Sequence, residues 1–151
     1  MRSKRPPLDR MNAMLSFLYT IFTREYAAAL ESVGLDSYMG FYHSLRPGRE
    51  SLACDLVEEG RCIVERFVLT LINLKIIKPE DFDVQVSGAV FLNDDGRKKV
   101  LSKWQEKKRT DMIHPYLKEK IPMGLLPYVQ SMLLAKFVRG EIDEYPCYLV
   151  K

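Results

Sequence analysis

The sequence has no CxxC pair, no long apolar run and little net charge, and each absence narrows what the protein can be. Only three cysteines stand among 151 residues. Cys54 and Cys62, placed on one helix, would lie about 12 Å apart along its axis, beyond the roughly 7 Å a disulfide tolerates between Cα atoms. Cys147 stands alone near the C-terminus. This spacing argues against a zinc site or a redox motif and leaves the cysteines as small buried apolar residues. No stretch approaches the roughly eighteen apolar residues of a membrane span. The start, MRSKRPPLDR, is basic and proline-rich, with no apolar run and cleavage site behind it. Neither a membrane span nor a signal peptide is expected, and the expected location is the cytoplasm. There is no internal repeat and no low-complexity tract. A net charge of +3 excludes a polycation.

What is present is a 47% apolar chain long enough to bury the core of one domain. Its positive charge is clumped rather than spread. Arg2, Lys4, Arg5 and Arg10 stand at the start, Arg46 and Arg49 follow, and Arg97, Lys98, Lys99, Lys103, Lys107, Lys108 and Arg109 form a third group. Such clumps either hold phosphates or form solvated faces.

Helical periodicity dominates. Met11, Met14, Leu15, Leu18, Ile21, Phe22, Leu30 and Val33 recur at three- and four-residue spacing, which predicts a helix from about Asp9, its cap, to Val33, ended by Gly34. A second helix is expected from Ser51 to about Ile77, with Leu52, Leu56, Ile63, Phe67, Val68, Leu71 and Ile72 inward and Gly60 as a possible kink. Lys78-Pro79 stops it. Two short strands are expected around Ser87-Gly88, and Asn93-Asp94-Asp95-Gly96 reads as a turn. A basic helix from Arg97 to about Ile113 buries Val100, Leu101 and Trp104. The last helix, Leu125 to Arg139, tolerates Pro127 in its first turn and ends at Gly140. The fold class is mainly α, a helical bundle with at most a short β-hairpin.

The stretch GFYHSLRPGRESLACDLVEE, Gly40 to Glu59, carries the chemistry. Asp55, Glu58 and Glu59 fall three and four residues apart, near one helical face. Like charges repel unless a divalent cation neutralises them, and carboxylates with one imidazole, here His43, suit manganese or magnesium better than zinc or copper. A metal there would polarise a phosphodiester. Arg46 and Arg49 offer paired donors to phosphate oxygens, and Lys103 and Lys107 are further phosphate contacts. The same residues also read as acids favoured at a helix N-terminus and an ordinary loop histidine. His114 reads as structural, and Tyr19, Tyr26, Tyr38 and Tyr42 as packing.

The blocks RPPLDRMNAMLSFLYT, ALESVGLDSYMGFYHSLRPGRESLACDLVEE, RFVLTLINLK, GAVFLNDDGRKKVLSKWQ and GLLPYVQSMLLAKFVRG occur in order across nearly the whole chain. Together they resemble the C-terminal helical domain of the CRISPR-associated spacer integrase, the Cas-one family, most nearly its type I-C branch. The resemblance implies a metal-dependent DNA endonuclease and integrase of antiviral defense. Such an enzyme inserts spacers into the CRISPR array by attack of a 3′ hydroxyl on a phosphodiester. The implied partners are double-stranded DNA, a small adaptation subunit and a second copy in a homodimer.

The family's histidine, in a G-F-x-H loop, matches His43. Its later acid, in a D-L-x-E pattern, matches Glu58, with Asp55 as supporting carboxylate and Mg2+ or Mn2+ as the cofactor. The family's first glutamate lies some sixty residues before the histidine, behind a β-rich domain, and neither Glu25 nor Glu31 sits in its motif. The expectation is therefore a single C-terminal α-helical catalytic domain over residues 1–151, belonging to a protein about twice as long and weakly active or inactive alone. The competing expectation is a noncatalytic helical DNA-binding or assembly module.

Overall fold

The computed structural model describes residues 9–37 and 51–148. Five α-helices dominate: α1 (Arg10–Ser32), α2 (Ser51–Glu59), α3 (Arg61–Asn73), α4 (Asp94–Lys108) and α5 (Leu126–Val138). Four three-residue strands make two antiparallel hairpins, β1 (Phe82–Val84) with β2 (Val90–Leu92) and β3 (Asp111–Ile113) with β4 (Lys120–Pro122). The mainly α class holds, with one hairpin more than expected. The chain divides into two compact units, residues 1–20 with 62–106 and residues 21–61 with 107–151.

The capping chemistry explains most helix ends. Asp9 caps α1 through its Oδ1, which accepts the Asn12 N–H at 2.8 Å. At the other end Leu35 N–H reaches Leu30 O and Gly34 N–H reaches Glu31 O, with Gly34 at φ +83°. This is the paired closure that a left-handed residue permits. Gly140, at φ +76°, closes α5 in the same way, with Glu141 N–H on Lys136 O.

The expected second helix is in fact two. Gly60 N–H bonds to Val57 O in a turn, and α3 begins at the next residue. A Cβ at Gly60 would lie 2.9 Å from Phe22 Cε2, so glycine lets this corner approach the ring. Helix α3 ends at Asn73, short of Ile77, because Lys75 turns left-handed at φ +57° before Pro79 is reached. Ile72, expected inward, is exposed.

In the first unit Trp104 and Val100 are fully buried, and Phe67 meets Trp104 edge to face, with ring centroids 5.2 Å apart. Leu101, expected in the same seam, is exposed. The Asn93-Asp94-Asp95-Gly96 stretch is a helix start, not a free turn. Asn93 Oδ1 accepts the Gly96 N–H at 2.9 Å, and Asp94 and Asp95 occupy the first turn of α4, where carboxylates complement the helix dipole. Gly96 has no room for a Cβ against the Asp81 carbonyl.

Helix α4 stops at Lys108, and the residues expected to continue it, Asp111–Ile113, pair as β3 with β4. In the second unit Ile121, Val129 and Leu133 form a buried cluster with Met112, Leu117 and Tyr145 against it. Cys62 and Cys147 are exposed, contrary to the expectation of buried cysteines, and Cys54 is half-buried; none of the three forms a disulfide. No described helix is long and apolar enough to cross a membrane.

Candidate functional site

The second unit carries the candidate carboxylates. Helix α2 starts where Leu52 and Ala53 N–H groups bond to the Ser37 carbonyl at 2.8 and 3.3 Å. The start of α2 is thus satisfied by backbone from the segment that follows α1. Ser37 is itself held by Glu31, whose Oε1 accepts from its hydroxyl at 3.0 Å. On α2 the three acids part ways. Asp55 is fully buried, Glu58 projects with its side chain 56% exposed, and Glu59 is half-buried. Glu58 lies 3.6 Å from the Arg61 guanidinium, an exposed pair of small energetic consequence.

The expectation that all three carboxylates share one face does not hold: Asp55 is buried, Glu58 is exposed, and Glu59 is held by partners of its own. Its Oε1 accepts from the Tyr145 hydroxyl at 2.8 Å, the Tyr148 N–H at 3.0 Å and the Gln130 amide at 3.4 Å. Burial pushes its carboxyl up, and these three donors pull it part of the way back. Burial and the nearby Glu59 charge push the Tyr145 phenol well up as well. Tyr26 is fully buried, and its hydroxyl has no hydrogen-bond partner among the described residues. Its phenol is raised by burial first and by Glu59 second.

The network continues inward. Gln130, fully buried on α5, meets His114 Nε2 through its Oε1 at 2.5 Å. His114 Nδ1 accepts from the N–H groups of Tyr116 and Leu117, both at 3.2 Å. The amide oxygen can only accept, so this arrangement requires a neutral ring protonated at Nε2. His114 is therefore structural, as its sequence context indicated.

Among the described residues no group of three His, Cys, Asp or Glu side chains is arranged to hold a metal ion. His43, Arg46 and Arg49 lie outside the described residues, as do Tyr38 and Tyr42. Asp55 and Glu58 stand one helical turn apart on α2, the first buried and the second exposed, and both carry hard oxygen donors of the kind magnesium or manganese takes. On the basic helix several cations are already engaged. Arg97 binds the Leu92 carbonyl at 2.7 Å, Lys99 meets Asp81 at 3.0 Å, and Lys108, the third, reaches Glu25 at 2.5 Å. Lys103 lies 3.3 Å from Glu106, and Lys107 is exposed in the last turn.

Comparison with known proteins assigns the class. Residues 1–106 match the family described as CRISPR associated protein Cas1. The chain is 52% identical over 151 residues to CRISPR-associated endonuclease Cas1 2 of Rhodospirillum rubrum, covering 99% of this chain and 44% of that protein. It is 44% identical over 150 residues to CRISPR-associated endonuclease Cas1 of Leptospira interrogans, covering 99% of this chain and 59% of that one. Among solved structures, a casposase bound to integration product superposes with a TM-score of 0.84 at 25% identity, over 91% of this chain and 38% of the casposase. A Cas1 protein from Thermotoga maritima gives a TM-score of 0.81 at 26% identity, over 92% and 43% of the two chains. The fold is thus shared with a casposase and a Cas1 protein, and the chain belongs to the Cas1 family. It spans only about half the length of the curated relatives it matches.

Proposed function

We propose that this chain is the C-terminal α-helical catalytic domain of a Cas1 endonuclease and integrase, which inserts spacers into a CRISPR array by phosphodiester transesterification. The observation that carries the reading is the pair Asp55 and Glu58, one turn apart on α2, in a sequence 52% identical to a named Cas1 endonuclease. In this reading His43, Asp55 and Glu58 hold Mg2+ or Mn2+. The bound ion would polarise the scissile phosphodiester and lower the pKa of the attacking hydroxyl or water.

The chain's own contribution is positioning. Arg46 and Arg49 grip phosphate oxygens in paired geometry, and Lys103 and Lys107 hold DNA backbone through charge. Glu58, exposed at the end of α2, is free to exchange its weak Arg61 contact for a stronger cation. The solved structures similar to this chain include a casposase bound to integration product and a partial Cas6-RT-Cas1–Cas2 complex, which support double-stranded DNA and a small adaptation subunit as partners. A homodimer follows the same family logic. The complete protein is the enzyme, and residues 1–151 alone are weakly active or inactive, because a metal held by part of its ligand set binds loosely and an error of about 1 Å costs roughly a hundredfold in rate.

The test is manganese-dependent cleavage of duplex DNA by the complete protein. His43→Ala and Glu58→Ala are each expected to abolish it while the circular dichroism spectrum is unchanged; retained cleavage in both variants contradicts the assignment. The competing reading, a noncatalytic DNA-binding module, draws on the Glu58–Arg61 pair as an ordinary helix-end contact. It requires DNA binding that falls steeply with salt and does not respond to manganese.

A further inference from the structure

We propose that Glu59, held by Tyr145, Tyr148 and Gln130, is a positioning residue that fixes the last turn of α2 and so aims Glu58; this rests on the reading of Glu58 as a metal ligand. Helix α2 has nine residues, too few to be stable alone. Its rotation about its own axis must therefore be set by tertiary contacts. Side chains of consecutive residues on an α-helix point about 100° apart. Holding Glu59 inward consequently turns Glu58 outward, where its side chain is 56% exposed.

The hold on Glu59 is built from two parts of the chain distant in sequence. Gln130 comes from the middle of α5, and Tyr145 and Tyr148 come from the segment after it. All three donors converge on a single oxygen, Oε1. Gln130 is oriented in turn by His114 through its own oxygen, and its amide also reaches the Tyr145 hydroxyl at 2.8 Å and the Pro146 carbonyl at 3.2 Å. Each donor is neutral. The clasp therefore fixes position without placing a new positive charge beside a site meant for a cation. An independent constraint acts one residue later, where the Gly60 backbone packs against the Phe22 ring. Hydrogen-bonded partners that orient a ligand typically change metal affinity by about 10- to 100-fold when removed.

The experiment measures manganese binding to this chain by electron paramagnetic resonance, with amide hydrogen exchange of Val57 to Gly60 on the same samples. The variants are Tyr145→Phe, Glu59→Ala, Glu59→Gln and Glu58→Ala, each held well below its melting temperature. Tyr145→Phe and Glu59→Ala are expected to weaken manganese binding about tenfold and to speed exchange in the last turn of α2. Glu59→Gln keeps an oxygen that accepts from Tyr145 and Tyr148 and is expected to restore both readouts. Should Glu59→Ala fail to fold, Tyr145→Phe, which loses one hydroxyl, decides alone. Unchanged affinity in Tyr145→Phe, with binding lost in Glu58→Ala, overturns the positioning role and leaves the ligand reading standing. If Glu58→Ala binds like the intact chain, or the intact chain binds no manganese, the ligand reading falls and the positioning role falls with it.

Discussion

Asp81 and Glu59 are both drawn away from water, one in each unit of the chain, and their surroundings solve the same electrostatic problem differently. Asp81 is 3% exposed; it accepts the Lys78 N–H at 2.8 Å and lies 3.0 Å from the Lys99 ammonium. Burial works to raise its carboxyl, but the Lys78 amide and the Lys99 cation outweigh it and the group ends below its ordinary value. Glu59 is met by a phenol, an amide and a backbone N–H, and it ends above its ordinary value. The first arrangement ties α4 to the start of the β1–β2 hairpin through opposite charge. The second fixes a helix end beside the candidate ligand Glu58 while adding no fixed cation. A charge matched by a cation serves stability, and a charge matched by neutral donors is held in place without adding charge.

The sharpest way to break the comparison is to remove each acid. Glu59→Ala leaves the Tyr145 hydroxyl and the Tyr148 N–H without this acceptor, while the Gln130 amide keeps Tyr145 and Pro146; stranded buried donors cost about 1–3 kcal/mol each, so a loss of about 2–6 kcal/mol is expected in urea unfolding. Asp81→Asn removes a charge-assisted hydrogen bond and is expected to cost about 2 kcal/mol near neutral pH. Its pH dependence follows from the direction of the shift. A carboxyl depressed in the folded state stabilises fully above its unfolded value, ordinarily 3.8, and that contribution is lost as pH falls through the lower folded value. The gap in stability between the intact chain and Asp81→Asn should therefore close below about pH 4, as acid unfolding curves would record.

Smaller effects sharpen the contrast. Tyr145→Phe, deleting one hydroxyl, is expected to cost about 1–2 kcal/mol by thermal unfolding. Salt separates the two regions most finely. The Lys99 side chain is 43% exposed, so raising salt to about 1 M, where the screening length is about 3 Å, should trim the Asp81→Asn effect by a few tenths of a kcal/mol. The Tyr145→Phe effect, which involves neutral donors, should stay the same.

Much of this was legible in the sequence, and the gaps have physical causes. Periodicity marked α1 and α5 and their glycine closures, because those signals are local. Gly60 was visible as a break, but a kink and a true helix boundary share the same signature until a neighbour such as Phe22 is known. Asn93-Asp94-Asp95-Gly96 suits a turn and a helix start equally; the Asn93 cap on Gly96 decides it. The β3–β4 hairpin was hidden because Asp111–Ile113 is three residues long and follows a basic helix without a breaker between them. Spacing alone groups Asp55, Glu58 and Glu59 without telling them apart. Glu59 was grouped with them, since nothing near it in sequence reveals Gln130, 71 residues away, or Tyr145, 86 residues away.

The central claim is that the exposed end of α2, together with His43, binds a divalent cation. Calorimetric titration of this chain with manganese, beside His43→Ala and Glu58→Ala, tests it most directly. The account predicts binding by the intact chain that is lost in both variants. Equal binding by all three would contradict it.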